Sequence, residues 1–188
     1  LNVMAGHDPL DPSSAARPVE DYMPDRGEDL RGVRIGLPSN FFFERLDQQV
    51  DNAVHFMAYT AQDLGATLKE VRVPDGEQLN AIAQVTLLAE AASVHEPYLR
   101  KRRSAYGDDV RALLDMGQLI PATDYLQAQR LRRRMVGVFQ SLFRQVDCLF
   151  VPCTPMTAPL IGQNNVTLAG QEEDVRLATT RLVRGVNA

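Results

Sequence analysis

Hydrophobic positions along the chain change period several times, and each change marks an element. Val33, Ile35 and Leu37 alternate with Arg34 and Gly36 before Pro38, the two-residue period of a short strand. Asp47 then stands where a helix N-cap belongs. Val50, Val54, Met57, Ala61 and Leu64 follow at helical spacing, and Gly65 closes the run. A second apolar stretch, residues 68–73, ends at Pro74. Two short strands around one amphipathic helix pair in parallel with a right-handed crossover, so residues 33–74 are expected to form a βαβ unit.

Residues 76–146 read as helical. Leu79, Ile82, Val85, Leu88 and Ala92 share one face of a helix over roughly 77–103, and Pro97 is expected to break or kink it. Asp108 or Asp109 is placed to cap a short helix carrying Val110, Leu113 and Leu114, which stops at Gly117. A longer helix starts between Pro121 and Thr123; its buried stripe is Leu131, Met135, Val138 or Phe139, Leu142 and Val146. Cys148-Leu149-Phe150-Val151 is an uninterrupted apolar run stopped by Pro152, the pattern of a strand covered on both faces. Pro152-Cys153-Thr154-Pro155-Met156 would leave the carboxyl end of that strand, where open α/β sheets hold their ligands.

The two ends read as cut. Residues 1–6 look like the last turn of a helix with Gly6 at its C-cap, and 177–183 begins an apolar-periodic run that is unfinished at Ala188. Between Gly6 and the first strand, Pro9, Pro12, Pro18 and Pro24 mark residues 1–32 as an irregular surface connection. The expected fold class is therefore α/β: part of a mixed, largely parallel sheet covered by helices and incomplete at both ends. Residues 33–188 form its α/β region, comprising the βαβ unit 33–74, the helical middle 76–146, and a buried strand with a Thr-Pro loop at 147–160.

Composition narrows the function classes. A net charge of −4 over 188 residues argues against a general polyanion binder. Arg100-Lys101-Arg102-Arg103 and Arg130 with Arg132-Arg133-Arg134 fall in helical segments and read as solvated faces, so nucleic acid is not expected as a partner. No stretch approaches the ~18 apolar residues of a membrane helix and no signal peptide opens the chain; the expected setting is cytoplasmic, with no membrane. Two cysteines exclude a disulfide scaffold, and Cys148 reads as a small buried hydrophobe. None of Ser13, Ser14, Ser39, Ser93, Ser104 and Ser141 sits in a Gly-x-Ser-x-Gly elbow, and Ser13-Ser14 reads as a turn. His7, His55 and His95 lack ligand spacing, and no Gly-rich phosphate loop is present. No cofactor, no metal and no catalytic residue is assigned within the chain.

Several segments in order resemble the amidase-signature family, the amidase and amidotransferase A-subunit-like hydrolases. They are Ala5-Gly6-His7-Asp8-Pro9-Leu10-Asp11-Pro12-Ser13, the strand Val33-Arg34-Ile35-Gly36-Leu37-Pro38, and Gly65-Ala66 with Val71-Arg72-Val73-Pro74. Asp109-Val110-Arg111 through Gly117 follows, with Tyr125, Ala128-Gln129 and Arg132. The run from Asp147 to Pro159 completes the set. The resemblance implies a portion of an amidase that hydrolyses a carboxamide by Lys-Ser-Ser chemistry. A serine attacks the carbonyl, a second serine relays a proton and a neutral lysine is the base. It also implies that this triad precedes the chain, because Lys69 and Lys101 match no catalytic position; the piece alone would be inactive. Thr154, Pro155 and Met156 would border the substrate cleft, with Tyr125 and Gln129 approaching it. The partner would be a small-molecule amide, and a homodimer is left open. The tRNA-dependent amidotransferases of this family carry paired arginines where this chain has Ala112 and Leu113, which favours a general amidase. Two alternatives stand beside this reading: a fragment of a tRNA-dependent amidotransferase of that kind, and a non-catalytic α/β binding or interaction module.

Overall fold

The computed structural model describes residues 1–187 apart from 13, 24–26 and 28. Ser13 and Pro24, read above as part of a turn and of the Pro-rich connection, lie outside the described residues, as does Ala188. Strand β1 (Arg34–Pro38) is the middle of a three-stranded parallel sheet, with β2 (Thr67–Val71) on one side and β3 (Cys148–Leu149) on the other. Ile35 faces Leu68 and Cys148 in register, and Gly36 faces Lys69 and Leu149. Helix α1 (Gln48–Asp63) makes the crossover from β1 to β2. The Asp47 carboxylate accepts the Gln49 N–H at 2.7 Å, and Gly65, at φ +102°, turns the chain into β2.

The buried face of α1 is rotated from the expected stripe. Ala58 and Ala61 are buried, whereas Met57 and Leu64 are exposed. Small residues let the helix lie close to the sheet, where Ala61 packs with Ile35 and Ala66, so the larger apolar side chains are carried to the outer side. Helix α2 (Gly76–Arg102) is capped by the Asp75 carboxylate and buries Leu79, Ile82, Leu88 and Ala92, with Val85 half-buried. Pro97 does not end it. Pro97 and Ser93 are both exposed, so the Ser93 carbonyl that loses its donor is open to water.

After a 3-10 turn (Arg103–Ala105) comes α3 (Asp108–Gln118), whose N-cap is Gly107 rather than either aspartate. Asp108 and Asp109 sit in its first turn instead, where carboxylates favour the positive end of the helix. Only Leu114 of its expected apolar set is buried. Helix α4 (Ala122–Leu142) buries Ala128 and Leu142, while Leu131, Met135 and Phe139 are half-buried and Val138 is exposed. The expected stripe is thus partly open, because it borders a groove beside β3. The strand is likewise shorter than the run 148–151 and half-buried, since β3 is an edge of this sheet rather than its interior.

A hairpin of β4 (Asn165–Leu168) and β5 (Gln171–Asp174) precedes α5 (Val175–Arg184), in a stretch whose sequence pattern announces no element. Its two-residue turn puts Ala169 at φ +48° and Gly170 at φ +79°, the pair of left-handed conformations that a tight hairpin needs. Alanine at the first position hides that signal. The run 177–183 belongs to a finished helix, capped by Asp174 at its start and Gly185 at its end. Phe41, Phe42, Val71, Val73, Leu142, Val146 and Leu182 form the main core.

At the amino ends of β1 and β3 the Arg34 guanidinium grips Asp147. Nη2 meets Oδ1 at 2.6 Å, and the Arg34 backbone N–H donates to Oδ2 at 2.8 Å. These hydrogen bonds hold the Asp147 carboxyl down to about 2. A carboxyl lowered by folding stabilises the fold above its unfolded value of ~4, and that contribution is lost as pH falls through about 2. Both side chains are nearly half exposed, so the effect is modest. A carboxyl-carbon NMR titration should place the Asp147 midpoint near 2; a midpoint in the ordinary carboxylate range would refute the assignment. Asp147→Asn should flatten stability between pH ~4 and ~2.

Candidate functional site

The carboxyl end of the sheet carries a rim of two loops. Beyond Pro38 the chain turns through residues 39–46. The Asn40 side chain clamps this exit to the end of β2, donating to the Val73 carbonyl at 3.1 Å and accepting the Val73 N–H at 3.0 Å. Phe41 (φ +63°) and Arg45 (φ +53°) take left-handed conformations that cost free energy for side chains of this size. Phe41 and Phe42 are buried edge to face, with ring centroids 5.2 Å apart. The second loop follows β3. Its Pro155 carbonyl accepts the Asp47 N–H at 2.8 Å, which joins it to the N-cap of α1.

Within that second loop the three expected contact residues divide. Thr154 is exposed and its hydroxyl donates to the Met156 carbonyl at 3.1 Å. Pro155 is fully buried, and Met156 packs with Leu168, Val175 and Ala178 of the hairpin and α5. Tyr125 and Gln129 lie elsewhere, one turn apart on α4. The Tyr125 hydroxyl donates to Glu90 at 2.9 Å and the Gln129 amide to Thr86 at 3.2 Å. The hydrogen bond to Glu90 pushes the Tyr125 phenol up from its ordinary value, so it stays a donor. Among the described residues no hydrogen bond joins this pair to the Thr-Pro loop.

Glu90 and Thr86 line a cavity of about 850 Å³ between α2, α3 and α5, together with Ala112, Leu113, Leu177 and Arg132. Its wall is apolar along the helices and charged at the edge. A second, mainly apolar groove of about 550 Å³ runs beside β3, lined by Phe42, Ile82, Met135, Phe139, Leu149 and Val151. Arg132 borders both. Cys148 also lines the groove; burial, and then the neighbouring Asp147 charge, push its thiol up and keep it protonated.

Other candidates of the sequence are held in structural contacts. Lys69 reaches the Gln145 side chain at 3.3 Å, and Ser39 and Ser141 donate to the carbonyls of Val71 and Gly137. His55 meets Asp51 and packs against Phe43, while His95 meets the Tyr106 hydroxyl. Arg100 pairs with Glu96, and Arg103 with Asp115. Among the described residues no three His, Cys, Asp or Glu side chains gather as metal ligands. No described helix is long and apolar enough to cross a membrane.

Sequence reasoning does not find the charge cluster behind the rim, formed by the buried Arg181 with the half-buried Glu173 and Arg45. One signal exists: Arg181 falls between Ala178 and Leu182 on the face of α5 that its apolar spacing turns inward.

This arrangement of a parallel βαβ unit, helical middle and Thr-Pro rim has close counterparts. The profile of the family described as Amidase matches residues 1–188, and the chain belongs to that family. An amidase from Pseudomonas putida is 40% identical over 182 residues, covering 96% of this chain and 39% of that protein. The A subunit of glutamyl-tRNA(Gln) amidotransferase from Hahella chejuensis (strain KCTC 2396) is 33% identical over 187 residues, covering 87% of this chain and 39% of that one. A solved structure from work on a vestigial protein complex and the origins of an s-triazine catabolic enzyme superposes with a TM-score of 0.87. It is 31% identical and covers 98% of this chain and 40% of its own. The chain spans about two-fifths of the length of these relatives.

Proposed function

We propose that the chain is the substrate-facing portion of a cytoplasmic amidase that hydrolyses a small carboxamide to a carboxylate and ammonia or an amine. The attacking serine, the relay serine and the lysine base are supplied by residues outside this chain. The observation that carries this reading is the match to the amidase family along the whole chain, combined with a span of 39% of the amidase relative. Among the described residues no hydrogen bond joins a serine hydroxyl to a lysine amine, which fits a wall rather than a reaction centre.

On this reading Thr154 offers its side chain to the cleft, and Pro155 and Met156 fix the turn that presents it. Tyr125 and Gln129 set the polar edge of the larger cavity by orienting Glu90 and Thr86. The apolar groove beside β3 is the face against which the remaining part of the family fold packs, since β3 pairs on one side alone in this sheet. The relatives among the glutamyl-tRNA(Gln) amidotransferases make glutamine a second candidate substrate. Ala112 and Leu113 on the cavity wall favour an apolar acyl group over the charged end of glutamine.

The test compares the 188-residue chain with the full protein from the same gene. Ammonia or amine release is measured from acetamide, benzamide, 4-nitroacetanilide and glutamine. The full protein should turn over an uncharged amide, and the chain alone should turn over none. Turnover by the chain alone would place the catalytic groups within it and overturn the reading; failure of the full protein on every amide would favour a binding module.

A further inference from the structure

We propose that Arg181 is the positioning residue of the rim, holding residues 39–46 in their left-handed bends and, through Asp47, seating the Thr154-Pro155-Met156 turn. Its bearing on the substrate rests on the proposed reading of that rim as the cleft wall.

Arg181 is only 5% exposed, although it carries a charge. Nη1 donates to the Glu44 carbonyl at 3.2 Å and Nη2 to the Arg45 carbonyl at 2.9 Å. Nε faces the Glu173 carboxylate at 3.5 Å, and the other Glu173 oxygen lies 3.2 Å from Arg45. The two terminal nitrogens of one planar fork therefore donate to two successive carbonyls, a geometry that a lysine ammonium cannot copy, while Nε makes a charge contact with Glu173 but no hydrogen bond. Burial lowers the affinity of this guanidinium for its proton, so the site works against the charge and retains it for what it binds.

What it binds is a strained segment. Arg45 is at φ +53°, and among the described residues no backbone N–H donates to the carbonyls of Glu44 and Arg45, which take their donors from the fork. Phe41, the other left-handed residue, lays its ring over Gly76 at the start of α2. A Cβ on Gly76 would stand 1.9 Å from that ring. Glu173 belongs to β5 and Arg181 to α5, so the hairpin and last helix brace a loop far earlier in the chain, 136 and 137 positions away for the two Arg181 hydrogen bonds. The Asp47 N–H then passes that bracing on to Pro155.

Hydrogen exchange and kinetics on the full-length protein test this, with Arg181→Met, Arg181→Lys and, at the opposite end of the sheet, Arg34→Met as control. Arg181→Met should raise exchange of amides 41–47 about tenfold or more while amides 35–37 keep their rates. Arg181→Lys should fall between, because it keeps the charge facing Glu173 and loses the fork; it also carries the test if the methionine variant fails to fold. With 4-nitroacetanilide as probe, KM should rise several-fold in both Arg181 variants with less change in kcat. Arg34→Met should lower the melting temperature and leave KM unchanged. A uniform rise in exchange along the chain, unchanged rates at 41–47, or local loosening without a change in KM would each overturn the proposal. If the wild-type protein hydrolyses no amide, the amidase reading fails, while the exchange pattern still decides the role of Arg181.

Discussion

Gly117→Ala is expected to cost about 3 kcal/mol of stability, whereas Gly137→Ala is expected to add about 0.5–1 kcal/mol. Both glycines lie inside helices, and the difference is what stands opposite them. A Cβ on Gly117 would lie 2.1 Å from the Leu88 carbonyl oxygen and 2.8 Å from the Ala92 side chain. The obstacle is the backbone of α2, which cannot step aside as a flexible side chain can. Relief would require α3 to move away from α2, opening the seam that buries Leu88, Ala92 and Leu114. A Cβ on Gly137 would meet nothing within 4 Å beyond its own turn of helix, so an added methyl faces open space. It removes a glycine from the interior of α4 and thereby lowers the entropy lost on folding. Urea midpoints of the two variants should move in opposite directions from wild type. Equal midpoints would mean that α2 and α3 do not approach as closely as described.

Gly117 also illustrates how much of the fold is legible. In the sequence it reads as a helix stop, and α3 does end one residue later, at Gln118. Its tighter purpose, contact with α2, depends on a partner 29 residues away that local pattern cannot reveal. The same division runs through the chain. Strands β1 and β2, helices α1 to α4 and the Asp47 cap are readable because alternation, helical spacing and capping chemistry are local. The inward face of α1 is not, since packing on Ala58 and Ala61 overrides the preference of larger side chains for the interior. The β4–β5 hairpin escapes because alanine occupies a left-handed turn position where asparagine or aspartate would have announced it.

The candidate site is less legible than the fold. The resemblance points to Thr154, Pro155 and Met156 and to Tyr125 and Gln129, residues that the structure places in two separate neighbourhoods. Nothing in spacing alone can say that Pro155 and Met156 are packed while Thr154 is open, because burial there is decided by the hairpin and α5. Arg181 is harder still. Charged residues read as surface by default, and its two carbonyl partners are distant in the chain. The groove beside β3 shows the converse: Met135 and Phe139 have the spacing of core residues and are only half-buried, which is what a face awaiting further packing would present.

Phe42→Ala is expected to cost about 3–5 kcal/mol, and Phe56→Ala in the 188-residue chain to change stability by no more than about 0.5 kcal/mol. The two substitutions delete the same atoms. Phe42 is 2% exposed and packs against Phe41, Val71, Val146 and Leu182, whereas Phe56 is 69% exposed on the outer side of α1. Removing the Phe42 ring leaves a void that its neighbours can fill only in part, because the residues on either side of it are pinned. Phe41 is wedged over Gly76, and the Glu44 and Arg45 carbonyls are held by Arg181. Collapse of the void would require the rim to give up those contacts, so the cost should lie at the upper end of the range. Phe42→Leu refills part of the volume and should recover at least half of the loss. Urea unfolding of the three variants checks the order. If Phe42→Ala and Phe56→Ala unfold at the same midpoint, residues 39–46 do not form the packed, braced rim on which both the substrate wall and the role of Arg181 depend.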